Sequence, residues 1–128
     1  MIRDPFDVDV RYDSSTRIPR NSLGRAQISA TVDRDLRLRR LVIENIASDW
    51  LVVDIQVNFT SRLNGKRAIS GERFDSDDDP MNSLDRFLDN AVIRKGSQLS
   101  LIVAYIGPNA SGARFRGVVI GTDLTPRA

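Results

Sequence analysis

The sequence predicts an all-β domain: an antiparallel β-sandwich of about eight strands, wound as a Greek-key jelly roll, with one short helix near 80–89. Three observations carry this reading. The stretch Leu36 to Thr60, LRLRRLVIENIASDWLVVDIQVNFT, has the period-two alternation of strands with one buried and one wetter face. Turn signals built from Ser, Asn, Pro and Gly recur at short intervals along the chain. Helical spacing of apolar residues is found at one place, Leu84, Phe87 and Leu88.

Taken in order, Phe6, Val8, Val10 and Tyr12 alternate with Asp7, Asp9 and Arg11, which predicts a first strand exposed on one face. DSSTRIPRNSLG at 13–24 reads as a loop or extended arm. Ala26, Ile28, Ala30 and Val32 alternate with Gln27, Ser29 and Thr31, a second strand that ends at the Asp33-Arg34-Asp35 turn. Two long neighbouring strands are then expected at about 36–46 and 50–60. In the first the apolar phase slips from Leu36 and Leu38 to Leu41 and Ile43, and a bulge at Arg39-Arg40 restores it. In the second, Leu51, Val53, Ile55, Val57 and Phe59 share the inner face and Val52 is out of pattern.

Asn64-Gly65 is a tight-turn signal that closes a hairpin into a short strand around 67–70, with Phe74 as an apolar anchor. Asp79 as cap and Pro80 at the first helical position open the helix. Ala91-Val92-Ile93 is a short strand ending at Lys95-Gly96. Leu99, Leu101, Val103 and Tyr105 form one apolar face of the next strand, but Ile102, Ala104 and Ile106 make its other face apolar too. Such a strand is covered on both sides, the second by a neighbouring subunit. GPNASG at 107–112 is a loop, and FRGVVIGT at 115–122 is the last strand. Its Gly117 and Gly121 mark a close approach of another chain element. The tail 123–128 is extended.

The 128 residues, 41% of them apolar, make one domain able to bury roughly two-thirds of the unfolded chain's surface. No apolar run approaches the roughly 18–20 residues of a membrane helix. The stretch MIRDPFDVDV resembles neither a signal peptide nor a transit peptide, so the chain is expected to stay where it is made. With no cysteine and no histidine, disulfides, thiol catalysis, His-dependent triads and His-bound metals are excluded. Asp49 and Asp54 flank Trp50 on opposite strand faces, poorly placed to share a substrate. The reading is therefore not an enzyme, and no cofactor is expected.

The net charge of +2 conceals a pattern: 17 Arg against 2 Lys, and 15 Asp against 2 Glu. Coding bias in a GC-rich genome accounts for such usage, yet the charges are also segregated. Segment 17–40 carries +5 and segment 72–90 carries −5, so the two are suited to meet within or between subunits through Arg–Asp pairs.

Three groups of residues invite a functional reading. Asp75, Asp77, Asp78 and Asp79 offer the oxygens a calcium ion takes, but lack the EF-hand's glycine and closing glutamate; a solvated acidic loop, or acids placed at a helix start, is the preferred reading, and no metal site is expected. Arg34, Arg37, Arg39 and Arg40 are suited to phosphate contact with nucleic acid or to a partner surface, with Arg37 and Arg39 sharing a face; no aromatic platform for base stacking is interleaved with them. Trp50 could stack a ligand or belong to the core edge.

NAVIRKGSQLSLIVAYIG at 90–107 and FRGVVIGTDL at 115–124 resemble the last strands of small β-sandwich virion proteins, and LVIENIASDWLVVDIQVN at 41–58 is compatible with their opening strands. These are capsid, minor capsid and head-decoration subunits of phages and icosahedral viruses, many of them jelly rolls. The resemblance implies a structural subunit that assembles with copies of itself and with other virion proteins. It would be made in the host cytoplasm and located in the virion, without a membrane. The subunit interface is expected at Ile102, Ala104 and Ile106, and neighbour or nucleic-acid contact at 34–40. The alternative is a non-catalytic carbohydrate- or protein-binding sandwich.

Overall fold

The computed structural model describes residues 6–20, 25–63, 68–76, 82–88 and 91–124. Their strands are β1 (Asp7–Asp13), β2 (Arg25–Thr31), β3 (Leu36–Ile43), β4 (Trp50–Val57), β5 (Thr60–Ser61), β6 (Ile69–Ser70), β7 (Val92–Ile93), β8 (Gln98–Tyr105) and β9 (Arg116–Asp123), with one helical turn α1 (Leu84–Phe87). Two antiparallel sheets form a β-sandwich, as expected. One has the order β1-β9-β3-β7; the other has the order β2-β8-β4-β5, with β6 also on β4. The chain changes sheet at each connection except those joining β4, β5 and β6; the first strand pairs with the last, the second with the second-last and the third with β7 and β9.

That order corrects one expectation. β3 and β4 are not ladder neighbours but lie in opposite sheets. A period of two tells which side chains point inward; it does not tell which strand supplies the hydrogen bonds. Between β3 and β4 the chain makes a 3₁₀ turn at Ala47–Asp49, entered through Ile46 with φ 46° and 70% of its surface exposed. The expected slip in β3 is present: the ladder to β9 shifts between Leu38 and Arg40, leaving Arg39 as the extra residue. Leu36, Leu38, Leu41 and Ile43 all reach the core as a result.

β4 departs from its expected face. Trp50 and Val52 are fully buried, the register against β8 shifts between Val52 and Asp54, and Ile55 and Val57 then point inward. A second bulge at Val53 therefore turns Leu51 and Val53 outward. The strand stops at Val57. Asn58 and Phe59, at φ 50° and 67°, turn the chain directly into β5, and Phe59 is 67% exposed rather than inward. Asn64-Gly65 lies outside the described residues. The short strand expected near 67–70 is β6, paired with Leu51 and Val52.

The helix is one turn rather than the span 80–89, and 80, 81 and 89 lie outside the described residues. Four helical residues are too few for intrinsic stability, so packing holds them: Leu84 and Leu88 are buried, and Phe74 meets Phe87 with ring centroids 5.7 Å apart. Beside this turn, the buried Asn82 side chain donates to and accepts from the backbone of Leu41 and donates to the Ser76 carbonyl. It thereby closes the edge of β3 where β7 has ended.

The core runs between the sheets from Leu36, Leu38 and Ile93 to Trp50, Tyr105 and Phe115. Gly117 sits where an added Cβ would come within 2.9 Å of the Phe115 ring, and at Gly121 it would come within 3.2 Å of the Arg37 carbonyl, the close approach expected of β9. Segment 14–20 is docked rather than free: Ile18 is buried and bridges to Ala113.

Tyr12 ties the layers together. Its buried hydroxyl donates to the Leu99 carbonyl of the opposite sheet at 2.9 Å, and burial pushes the phenol's pKa upward. An unfolded tyrosine ionises near pH 10, whereas folded Tyr12 keeps its proton, so stability falls as pH rises past about 10. Tyr12→Phe is expected to lose about 1 kcal/mol at pH 7 but to show a shallower loss between pH 7 and pH 11, read by urea unfolding at both.

Candidate interaction face

The outward turn of Leu51 and Val53 creates an apolar surface on the β2-β8-β4 sheet. In register, Arg25 of β2 lies beside Ala104 of β8, and Ala104 beside Leu51 of β4. Together with Arg20, Val53, Ala68, Tyr105 and Ile106 they line an open cleft of about 540 Å³. Its floor is aliphatic, Ile106 is 48% exposed, and two guanidiniums stand at its side. Ala104 and Ile106, expected at a subunit interface, belong to it. Ile102 sits one step further along β8, half-buried between Gln27 and Asp54 in register.

Beyond Ile102 the same face turns polar. Ser29 and Ser100 share a 2.8 Å hydrogen bond, and Asp54 accepts from Ser61 at 2.8 Å and from Gln56 at 3.3 Å. The apolar patch is thus bounded by a satisfied hydrogen-bond network, the arrangement of an interface centre with a polar rim.

The basic segment at 34–40 does not form one cluster. Arg34 lies in the β2–β3 turn, 3.1 Å from Asp33 and 3.3 Å from Asp123, whose side chain is only 6% exposed. Its guanidinium holds the Asp33 carboxyl below its usual range. Arg40 donates to the Asn82 carbonyl and is half-buried. Arg37 and Arg39 are both exposed and alternate with the buried Leu36 and Leu38, so they share the outer face as expected; in the ladder to β9, Arg37 lies opposite Thr122 and Arg39 is the extra residue of the bulge. On the same sheet β1 carries Asp7, Asp9, Arg11 and Asp13 beside β9, and Arg11 pairs with Glu44 across it. That outer face mixes both charges and is not a uniformly basic phosphate track.

Asp75 is exposed just after the 3₁₀ turn Gly71–Phe74; Asp77, Asp78 and Asp79 lie outside the described residues. Among the described residues no group of three or more acidic side chains converges as a metal site would require. Trp50 is core: its ring centroid lies 5.2 Å from those of Tyr105 and Phe115, and its indole N–H donates to the Asn45 carbonyl.

Comparison with family models, with curated proteins and with solved structures finds no match. The face therefore has to be read from its own chemistry. Its described residues include no nucleophile–base pair, and its aliphatic floor flanked by arginines suits an apolar protein surface edged with carboxylates. Reading the sequence alone missed Arg20, Arg25, Leu51 and Val53. The signal for the last two was Val52, whose place out of pattern next to Trp50 is the trace of the second bulge.

Proposed function

We propose that this chain is a structural subunit that assembles with copies of itself, of the kind that builds the capsid or the decoration of a virus or phage particle. The observation that carries the reading is the cleft on the β8 face, where Ala104 and Ile106 leave apolar surface uncovered beside Arg20 and Arg25. The strand order is in keeping with it: the first strand pairs with the last and the second with the second-last, and we read this sandwich as a jelly roll, an architecture common in capsid domains. Lectins share that architecture, so the order alone does not decide the function.

Light scattering after size exclusion, at tens of micromolar and at low and high salt, tests the reading. Discrete oligomers or particles are expected, reduced by salt because arginines stand at the contact. Ile106→Asp places a carboxylate on the patch at an exposed position and should weaken association at least tenfold without changing the thermal midpoint. A wild-type protein that stays monomeric at both salts overturns self-assembly through this face.

A further inference from the structure

We infer that the open edge of β2 is a strand-pairing site for the β2 of a second copy, related by a two-fold axis through Ile28. The inference extends the self-association reading but uses a different surface. Val32 donates to the Ser97 carbonyl, and Gly96 donates back to Val32. Hydrogen-bonded positions alternate along an antiparallel ladder, so Ala26, Ile28 and Ala30 spend their backbone groups on β8. The N–H and C=O groups of Arg25, Gln27, Ser29 and Thr31 point away from the sheet.

Other long or short edges among the described residues are protected. β1 carries Asp7, Asp9, Arg11 and Asp13 at every second position, and β5, β6 and β7 are two residues each. Past β7, Asn82 occupies the edge of β3. β2 has seven residues, RAQISAT, with no proline, no bulge, no acid and one charge at its end. Charge, shortness and bulges are the devices that keep strand edges from pairing, and β2 has none of them in its middle. Segment 13–18 lies beside Ala26–Ser29 across a cleft of about 280 Å³, and its backbone bonds go to Ala113 and Phe115 rather than to β2.

The occupant follows from the sequence of the edge. Antiparallel pairing of β2 with itself about Ile28 sets Gln27 against Ser29 and Arg25 against Thr31, which are the residues with outward backbone groups. It sets Ala26 against Ala30 and Ile28 against Ile28 on the half-buried face. Each strand thus offers donors and acceptors where the other needs them, apolar meets apolar, and no like charges oppose.

Hydrogen exchange on the full chain, at micromolar and at near-millimolar concentration, tests this. The amides of Gln27, Ser29 and Thr31 are expected to slow at least tenfold on concentration, while those of Ala26, Ile28 and Ala30 remain slow throughout. Gln27→Pro removes an N–H that the monomer does not use and should abolish the two-fold pairing, measured by sedimentation. Ile106→Asp should leave that pairing intact. If Ile106→Asp disperses all oligomers and folded Gln27→Pro does not, the edge is overturned and the β8 face stands. If the three outward amides exchange at the same fast rate at both concentrations, the edge pairing is overturned even where Gln27→Pro fails to fold.

Discussion

Trp50→Ala is expected to destabilise the protein by about 3–5 kcal/mol, the range for deleting a large aromatic side chain from a packed core. Trp50 has no exposed surface, opens β4, and packs its ring edge-on against Phe115 and tilted against Tyr105, each centroid at 5.2 Å. Those three rings come from β4, from the segment before β9 and from the end of β8, so one side chain joins both sheets at that end of the sandwich. The neighbours cannot collapse into the space, because each is held in place. Asn45 receives the indole N–H and also binds Arg116 through its side-chain oxygen, while the Tyr105 hydroxyl accepts from the Asn109 amide. Domains of this size are stable by about 5–15 kcal/mol, so roughly a fifth or more of the total is at stake. Urea unfolding should show a lower midpoint with an unchanged slope. Trp50→Phe keeps an aromatic contact and should recover about half of the loss. A Trp50→Ala midpoint equal to wild type would mean that the ring does not join the sheets.

What the sequence made legible follows the physics of each signal. Alternation found β1, β2, β3 and β8 because a two-layer fold buries one face of such strands, β9 was read as the apolar run after the 107–112 loop, and the phase slip at Arg39-Arg40 exposed the first bulge. Pairing was not legible: β3 and β4 face each other across the core, and nothing local to either encodes that β9 and β8 are their ladder partners. The second bulge was hidden because Leu51, Val53, Ile55 and Val57 alternate well enough to pass for one face. The burial of Trp50 and Val52 and the register shift against β8 show that the inner face changes there. The same misreading concealed half of the apolar patch, whereas Ala104 and Ile106 stood out because β8 is apolar on both faces. The helix was overestimated because three apolar residues at helical spacing require a single turn, and one turn is what packing stabilises.

Gly71→Ala is expected to cost more than about 4 kcal/mol, an unusually large effect for the addition of one methyl group. Gly71 follows β6 and begins the 3₁₀ turn that delivers Phe74 to the core. An added Cβ there would lie 2.0 Å from the Ala47 carbonyl oxygen and 2.8 Å from that of Trp50, both backbone atoms. A flexible side chain could rotate away; these carbonyls cannot, since they belong to the turn that leads from β3 into β4 and to the first residue of β4. Relief requires the 71–74 turn to move off the 47–49 turn, which withdraws Phe74 and with it the contact to Phe87. Loss of the β6 pairing with Leu51 and Val52 would follow, and Ala68, which lines the cleft beside them, would shift. The control is Gly96→Ala. Gly96 has φ +87° but nothing within 4 Å of its Cβ position, so that change carries only the backbone cost of a left-handed conformation, roughly 1–2 kcal/mol. Thermal unfolding of both variants separates the two causes. A Gly71→Ala midpoint no lower than that of Gly96→Ala would show that the two turns are not packed backbone to backbone, and that the β4 end of the cleft is held by something other than this contact.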